Sequence, residues 1–296
     1  MKTCANVREY LEAGTEFLRS RKVPEAAANA EFIMASILEC GRAGVHADAG
    51  RALNAKQSHH FWFLLKERAR RVPLAYVLGT QPFCGIEIKV SPAVLVPRPE
   101  TESLVEFAAE TARTRFSGEN VHIAELGTGS GCIAVALAKA LPEAMIVATE
   151  ISPGALRIAE ENILAHRVDR QVRLIREDLF KGGDRPSPWA HMLVSNPPYV
   201  PSAEIAKLAA EVKAEPVLAL DGGKDGLEVI RVIVAQAPRL LRPGGWILLE
   251  FGDGQAQRVR AVLEKGGFEA VEVRNDLMGK ERVAAARFGM VRFPHG

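Results

Sequence analysis

Between Val121 and Phe251, short apolar runs alternate with stretches of helical periodicity, and this alternation limits the fold more tightly than any other feature of the 296-residue chain. The apolar runs fall at 121–126, 145–149, 172–175, 192–195 and 246–251, and the helical stretches at 133–140, 154–165 and 227–241. Apolar runs of about four to eight residues set between helices read as strands buried on both faces. Strands joined through a helix run parallel, because the helix returns the chain to the end of the sheet from which it set out. The pattern predicts an α/β domain built on a mostly parallel, doubly wound sheet with helices on both faces. Ligands of such sheets sit at the carboxyl ends of the strands.

The N-terminal quarter has only the helical period. Val7, Tyr10, Leu11, Gly14 and Leu18 recur at that spacing, as do Ala28, Phe32 and Ala35, and then Phe61, Leu64, Leu65 and Ala69. Pro24 and Glu25 suit the first turn of the second helix, and Gly41 and Gly44 interrupt the pattern after it. Between Pro73 and Pro99 the period shortens to two: Ile86, Ile88 and Val90 alternate with Glu87 and Lys89, and Gly79-Thr80-Gln81-Pro82 supplies a turn. The expected organisation is a small all-helical domain over 1–72, a β-hairpin linker over 73–97 and the α/β domain over 98–296.

Charge narrows the function. Lysine plus arginine number 38 against 36 acids, a net +2, whereas tight sequence-indifferent binding to nucleic acid needs a strong basic excess. The excess is +4 through residue 75 and −2 beyond it. Lys66, Arg68, Arg70 and Arg71 carry two readings, a solvated helix face or a patch that steers the domain onto an acidic partner such as a ribonucleoprotein. No apolar run approaches the roughly 18 residues of a membrane span, and Arg8, Glu9, Glu12 and Glu16 interrupt the stretch a signal peptide would need. Cys4, Cys40, Cys84 and Cys132 lack a C-x-x-C pair and read as buried free thiols of a reducing compartment. The seven histidines lack H-x-x-x-H spacing, so no metal is expected. A cytoplasmic protein follows.

Two motifs carry chemistry. Glu125-Leu126-Gly127-Thr128-Gly129-Ser130-Gly131 follows a strand and opens a helix, so its backbone can approach a ligand closely beside free helix N–H groups. A dinucleotide fingerprint would need a third glycine at 132, where Cys132 stands, which disfavours a nicotinamide oxidoreductase. The G-x-G-x-G spacing with an acid two residues before it resembles the S-adenosylmethionine loop of Rossmann-like methyltransferases. Glu150, at the end of the next strand, is placed to accept from both ribose hydroxyls; it also suits the dipole of the helix opened by Ser152-Pro153. Asp178-Leu179, past the third strand, could accept from an adenine amino group and cover its ring.

Asn196-Pro197-Pro198-Tyr199 follows the strand at 192–195. The prolines have fixed φ and no N–H, so the segment is rigid and offers carbonyl acceptors; Asn196 adds another acceptor and Tyr199 a flat face. Two acceptors and a ring suit a planar –NH2 group. An amide nitrogen is a poor nucleophile, and holding both of its hydrogens aims the nitrogen at an electrophilic methyl, so that positioning supplies the rate.

Several blocks together resemble the peptide chain release factor N5-glutamine methyltransferases, the PrmC/HemK family. They are Pro73-Leu74-Ala75-Tyr76, Ser91-Pro92 through Leu95-Val96-Pro97-Arg98-Pro99-Glu100-Thr101-Glu102, the Glu125 to Gly131 loop and Val194-Ser195-Asn196-Pro197-Pro198-Tyr199-Val200. Glu215-Pro216, Ala219-Leu220-Asp221-Gly222-Gly223, Asp225-Gly226-Leu227, Leu241-Arg242-Pro243-Gly244-Gly245, Asp276-Leu277 and Arg282-Val283 complete them. The resemblance covers most of 73–287; one departure is Ala214, where relatives often carry an aromatic residue. It implies a Rossmann-like class I S-adenosylmethionine methyltransferase domain that methylates the glutamine amide in the Gly-Gly-Gln tip of class I release factors. The product would be S-adenosyl-L-homocysteine, with no metal and no direct nucleic-acid partner. By motif, Gly127, Thr128, Gly129, Ser130, Gly131, Glu150, Asp178, Leu179 and Asn196 hold the cofactor. Asn196, Pro197, Pro198 and Tyr199 hold the glutamine, with Asn196, Pro197 and Tyr199 catalytic. Arg98 is expected to pair with Glu102 at helical spacing. Two alternatives stay open, an adenine-N6 or guanine-N2 nucleic-acid methyltransferase using the same Asn-Pro-Pro-Tyr logic, and a domain that binds the cofactor without turning it over.

Overall fold

The computed structural model of the protein describes residues 4–179 and 188–289; the expected domains 1–72 and 98–296 both run past those bounds. The chain divides into two compact units, Met1–Thr80 with Ala209–Ala214, and Gln81–Leu208 with Glu215–Gly296.

The first unit is helical: α1 (Val7–Ser20), α2 (Ala26–Leu38), α3 (Arg42–Ala47), α4 (Ala55–Ala69) and α5 (Leu74–Leu78). Asn6 caps α1 by accepting from the Glu9 N–H at 3.1 Å, and the stripe Val7, Tyr10, Gly14 and Leu18 is buried. On α2 the expected register slips. Asn29, Ala30, Ile33, Met34 and Ala35 are buried, while Phe32 is 42% exposed with the Arg42 guanidinium 5.0 Å above its ring. The helix is apolar on most faces, so periodicity alone could not choose the inward one. Pro24 lies before this helix, whose N-cap is Glu25.

Neither reading of the basic cluster holds as stated. Arg68 is buried; its Nε donates to Asn29 at 2.6 Å and its Nη2 to Glu211 at 2.9 Å. Arg71 donates to both Glu211 oxygens, at 2.6 and 2.7 Å. Two of the four cations are thus neutralised within the unit, and hydrogen bonding by Arg71 first, then Arg68, draws the Glu211 carboxyl down to about 2.

The linker region is narrower than 73–97. Residues Leu74–Leu78 are helical, and the hairpin comprises β1 (Thr80–Phe83) and β2 (Ile86–Lys89). Its turn is Cys84-Gly85, not 79–82: both residues have positive φ, 48° and 73°, as a two-residue type I′ turn requires.

In the second unit α6 (Pro99–Arg115) precedes β3 (His122–Leu126), α7 (Cys132–Ala140), β4 (Met145–Glu150), α8 (Pro153–Ala165), β5 (Val172–Arg176) and β6 (Ala190–Ser195). The short α9 (Ser202–Ile205) follows; α10 (Ala210–Lys213) falls in the helical unit; then come α11 (Glu228–Leu240), β7 (Leu241–Glu250), α12 (Ala256–Lys265), β8 (Phe268–Asn275) and β9 (Glu281–Phe288). The seven-stranded sheet has the order β5-β4-β3-β6-β7-β9-β8, parallel from β5 to β7 and antiparallel around β9. Every residue of β6 is buried, as are Ile247, Leu248 and Leu249 of β7, which explains the unbroken apolar runs. Strand order reverses between β3 and β6, and the carboxyl ends of those strands define the crevice.

Candidate active site

A cavity of about 1040 Å³ opens at those strand ends. Its first wall is the glycine loop. The Gly127 and Thr128 N–H groups both donate to Thr149 O at 2.9 Å, which fastens the loop to the end of β4. Gly127 and Gly129 have φ of 72° and 56°, a region that favours glycine, and a Cβ at either would meet nothing within 4 Å. They keep a cradle clear that side chains would fill. Gly127, Thr128, Gly129 and Ser130 line the cavity; Gly131 does not. It is the N-cap of α7, and a Cβ there would lie 3.2 Å from Ala159 of α8, so this glycine serves helix packing.

Glu150 meets the start of the next helix and also faces the cavity. It lines the cavity, and its carboxylate accepts from Gly129 N at 3.0 Å, Ile151 N at 2.8 Å and Ser152 N at 2.9 Å. A carboxylate has about four acceptor positions, so capacity remains for a hydroxyl. Asp178 and Leu179 lie on the same wall with Glu177, and Gln236 Nε2 donates to the Leu179 carbonyl. Cys132 lines the cavity too, but burial pushes its thiol up to about 12, and it stays unreactive at neutral pH. The expectation of buried cysteines holds for Cys132 and fails for Cys40, which is exposed; all four are free.

Glu125 stands behind the loop with no solvent exposure, and neither carboxyl oxygen has a hydrogen-bond partner among the described residues. Burial, reinforced by the charge of Glu150, pushes it up to about 8, so it is largely protonated at neutral pH.

The second wall is Asn196, Pro197 and Pro198. Asn196 Nδ2 donates to Thr101 Oγ1 at 3.1 Å. Tyr199 is not on the wall. Its hydroxyl turns to Glu250 Oε1, 3.4 Å away, and burial raises its pKa, so the ring supplies no flat face to this cavity. The segment is clamped from behind. Gln255 Nε2 donates to Tyr199 O and its Oε1 accepts from Gly252 N, both at 2.9 Å. Val200 N donates to Leu220 O at 3.0 Å, and Val200 O accepts from Gly222 N at 2.9 Å. The Asp-Gly-Gly block thus folds alongside Asn-Pro-Pro-Tyr. At Gly226, with φ 77°, a Cβ would lie 2.4 Å from Tyr199 O, so no side chain fits.

Arg98 does not pair with Glu102. It donates to Glu215 Oε1 at 2.5 Å while Glu215 Oε2 accepts from Val96 N at 2.9 Å; Glu102 instead accepts from Cys84 N at 2.8 Å. As the N-cap of α6, Arg98 lies outside the helical turns in which i, i+4 neighbours meet. Glu215 is buried, and through these two bonds it ties the far end of the loop after β6 to the segment before α6.

Residues 9–79 match the PrmC N-terminal domain family, and residues 107–222 the methyltransferase small domain family. The release factor glutamine methyltransferase of Geobacter sulfurreducens is 40% identical over 285 residues, covering 96% of this chain and 97% of that protein. This chain belongs to the release factor glutamine methyltransferase family. A second member, from Deinococcus radiodurans, is 36% identical with coverage of 95% and 98%. Among solved structures, the catalytic domain of human Mettl16 in complex with an RNA hairpin shares the fold, at TM-score 0.53 and 16% identity over 76% of this chain and 82% of that one. For members of this family, methyl transfer is the activity and S-adenosylmethionine the donor.

Sequence reasoning missed Thr101, Gln255 and Glu250. A signal existed for Glu250, an acid closing the apolar run Ile247-Leu248-Leu249 at the carboxyl end of a central strand, as Glu150 closes β4.

Proposed function

We propose that the protein transfers a methyl group from S-adenosylmethionine to the side-chain amide nitrogen of the glutamine in the Gly-Gly-Gln tip of class I release factors, within the cavity bounded by the glycine loop and Asn196-Pro197-Pro198. The observation that carries the reading is the polarity of Asn196. Its NH2 donates one hydrogen to Thr101, and Oδ1 is the side-chain group able to accept from a substrate N–H. Pro197 and Pro198, lacking N–H, add no competing donor.

S-adenosylmethionine would supply an electrophilic methyl on a sulfonium. The open cradle at Gly127 and Gly129 fits close approach of such a ligand, Glu150 has acceptor capacity for a ribose hydroxyl, and Asp178 and Leu179 offer an acceptor and an apolar cover for the base. Asn196 and the Pro197 carbonyl would accept the two amide N–H bonds, orienting the nitrogen rather than deprotonating it. The names borne by the relatives support release factors as the protein substrate, and the helical unit is the element proposed to recognise them.

Incubation with methyl-labelled S-adenosylmethionine and a class I release factor tests the reading. One labelled methyl on the Gly-Gly-Gln glutamine, located by mass spectrometry, is the expected result; label entering RNA or DNA and not the factor would overturn it.

A further inference from the structure

The residues proposed for S-adenosylmethionine follow β3, β4 and β5, and Asn196 follows β6; the carboxyl edge of the sheet then continues past Asn196 through β7 to β9 and β8. β6 and β7 end together, with Ser195 beside Leu249, and β9 runs antiparallel to β7 with Val283 beside Glu250. The turn that joins β8 to β9, residues 276–280, therefore stands at the same edge as the cavity. It lies on the flank of Asn196 away from the proposed cofactor residues.

Two apolar side chains top this turn, Leu277 at 78% and Met278 at 81% exposure. They are held firmly. Asp276 Oδ1 accepts from Met278 N at 2.9 Å and from Lys280 N at 3.0 Å, and Asp276 N donates to Lys280 O at 2.7 Å. Gly279, with φ 80°, donates its N–H to Asp276 O at 2.9 Å. Buried Arg282 anchors the turn from below, donating from Nε to Asp276 Oδ2 at 3.3 Å and from Nη1 to Phe251 O at 3.2 Å. Burying an acid and a guanidinium costs desolvation, yet the turn they fix presents its apolar groups to water, where they add nothing to the stability of this chain. Only a partner that covers them would gain from that arrangement.

Apolar exposure is concentrated at this edge. Among the described residues of the second unit, five large apolar side chains are more than half exposed; four of them, Val217, Leu218, Leu277 and Met278, lie at the cavity or on this turn. The cations of the turn are engaged, Arg282 with Asp276 and Lys280 Nζ with Asp253 Oδ2 at 2.6 Å, so neither is free for a phosphate. That chemistry fits a protein surface with an apolar recess and not a nucleic acid or an anionic lipid.

We propose that the β8–β9 turn is a docking tip for the protein substrate, Leu277 and Met278 seating in an apolar recess of the release factor while its glutamine enters the cavity. This rests on the proposed release-factor function and names a second point of contact for the same partner.

The test measures kcat and KM of the full-length enzyme on an intact class I release factor, with calorimetric affinity for S-adenosylmethionine and Tm as controls. Leu277→Ser combined with Met278→Ser should raise KM about 10- to 100-fold, the worth of two apolar side chains buried at an interface. It should leave kcat and cofactor affinity within about threefold of the parent and Tm within about 2 °C, since neither side chain is packed in the fold. The apolar exchange Leu277→Met with Met278→Leu should keep KM within about threefold of the parent. A parental KM in the serine pair, a raised KM in the apolar exchange, or a KM rise matched by lost cofactor affinity or Tm overturns the proposal. A parental dimer, or parental binding to phosphatidylglycerol vesicles, that the serine pair abolishes would assign the tip to a second copy or a lipid surface and overturn it too. Failure of the parent enzyme to label glutamine strikes the function itself. Normal labelling with a parental KM in the serine pair strikes only the docking tip.

Discussion

The two walls of the cavity are built by opposite means. The glycine loop is local: it joins β3 to α7, its N–H groups bond to the neighbouring strand end, and Glu150 braces it from the next strand. The Asn196 wall is assembled from a distance. Thr101 comes from α6, Glu250 and Gln255 from the end of β7 and beyond, and Gly222 and Gly226 from the loop that returns beside Val200. Segments adjacent in the chain hold the first wall, segments far apart in it the second. A locally built wall tolerates changes that spare the space in front of it, whereas a wall of interlocked distant segments transmits remote changes to its functional atom.

Glycine-to-alanine changes on the two walls break the comparison most severely. Gly226→Ala combines a positive φ with a backbone overlap and should destabilise the second unit by about 3–5 kcal/mol, read as a large loss of Tm. Gly129→Ala meets nothing, should cost only about 1–2 kcal/mol of backbone strain, and should show its effect in weakened cofactor binding. Equal losses of Tm would erase the distinction between the walls.

Asn196→Ala is next. It should lower kcat about 10²- to 10³-fold and leave the calorimetric affinity for S-adenosylmethionine within about threefold. A weakened affinity with parental turnover would move Asn196 to the cofactor wall. Glu150→Ala is the mirror experiment: S-adenosylmethionine affinity should fall about 10- to 100-fold, the worth of hydrogen bonds to a charged acceptor, with kcat at saturation changed far less.

The smallest effect is electrostatic and involves an acid behind each wall. Glu125 and Glu250 are raised to about 8 and about 7 by burial, above the carboxylate range of the unfolded chain. The folded state therefore binds more protons, and their stabilising contribution is complete below the unfolded pKa and lost as pH rises through about 7 and about 8. Calorimetric Tm should be higher at pH 6 than at pH 9, by about 3–6 °C, and Glu125→Gln should flatten that slope. A slope unchanged by this variant would assign the pH dependence to other groups.

The sheet and the first wall were legible because their signals are local. Apolar runs marked five strands to within a few residues, except that β7 begins at Leu241 and not at 246. The antiparallel pair β8 and β9, and α12 before it, lay beyond the alternation and went unread; β8 is largely half-exposed and lacks the fully apolar run of a central strand. The glycines and Glu150 sat where a strand–loop–helix unit puts them, whereas the flat face expected of Tyr199 was read from its chemistry alone, without Glu250, which its hydroxyl meets. Arg98 was matched to the acid nearest in sequence, but its partner, Glu215, is supplied by the returning loop.

By itself, then, the sequence determined the strand–helix alternation, the place where that alternation leaves a crevice and the residue types on its rim, because each depends on neighbours a few positions apart. Tertiary structure decided that the Asn196 amide donates to Thr101, that Gly131 packs against a helix and the Tyr199 hydroxyl meets Glu250, and that Arg68 and Arg71 close on Glu211. Those outcomes turn on hydrogen-bond partners brought together by folding, and a polar side chain commits its donors and acceptors only to the groups it meets there.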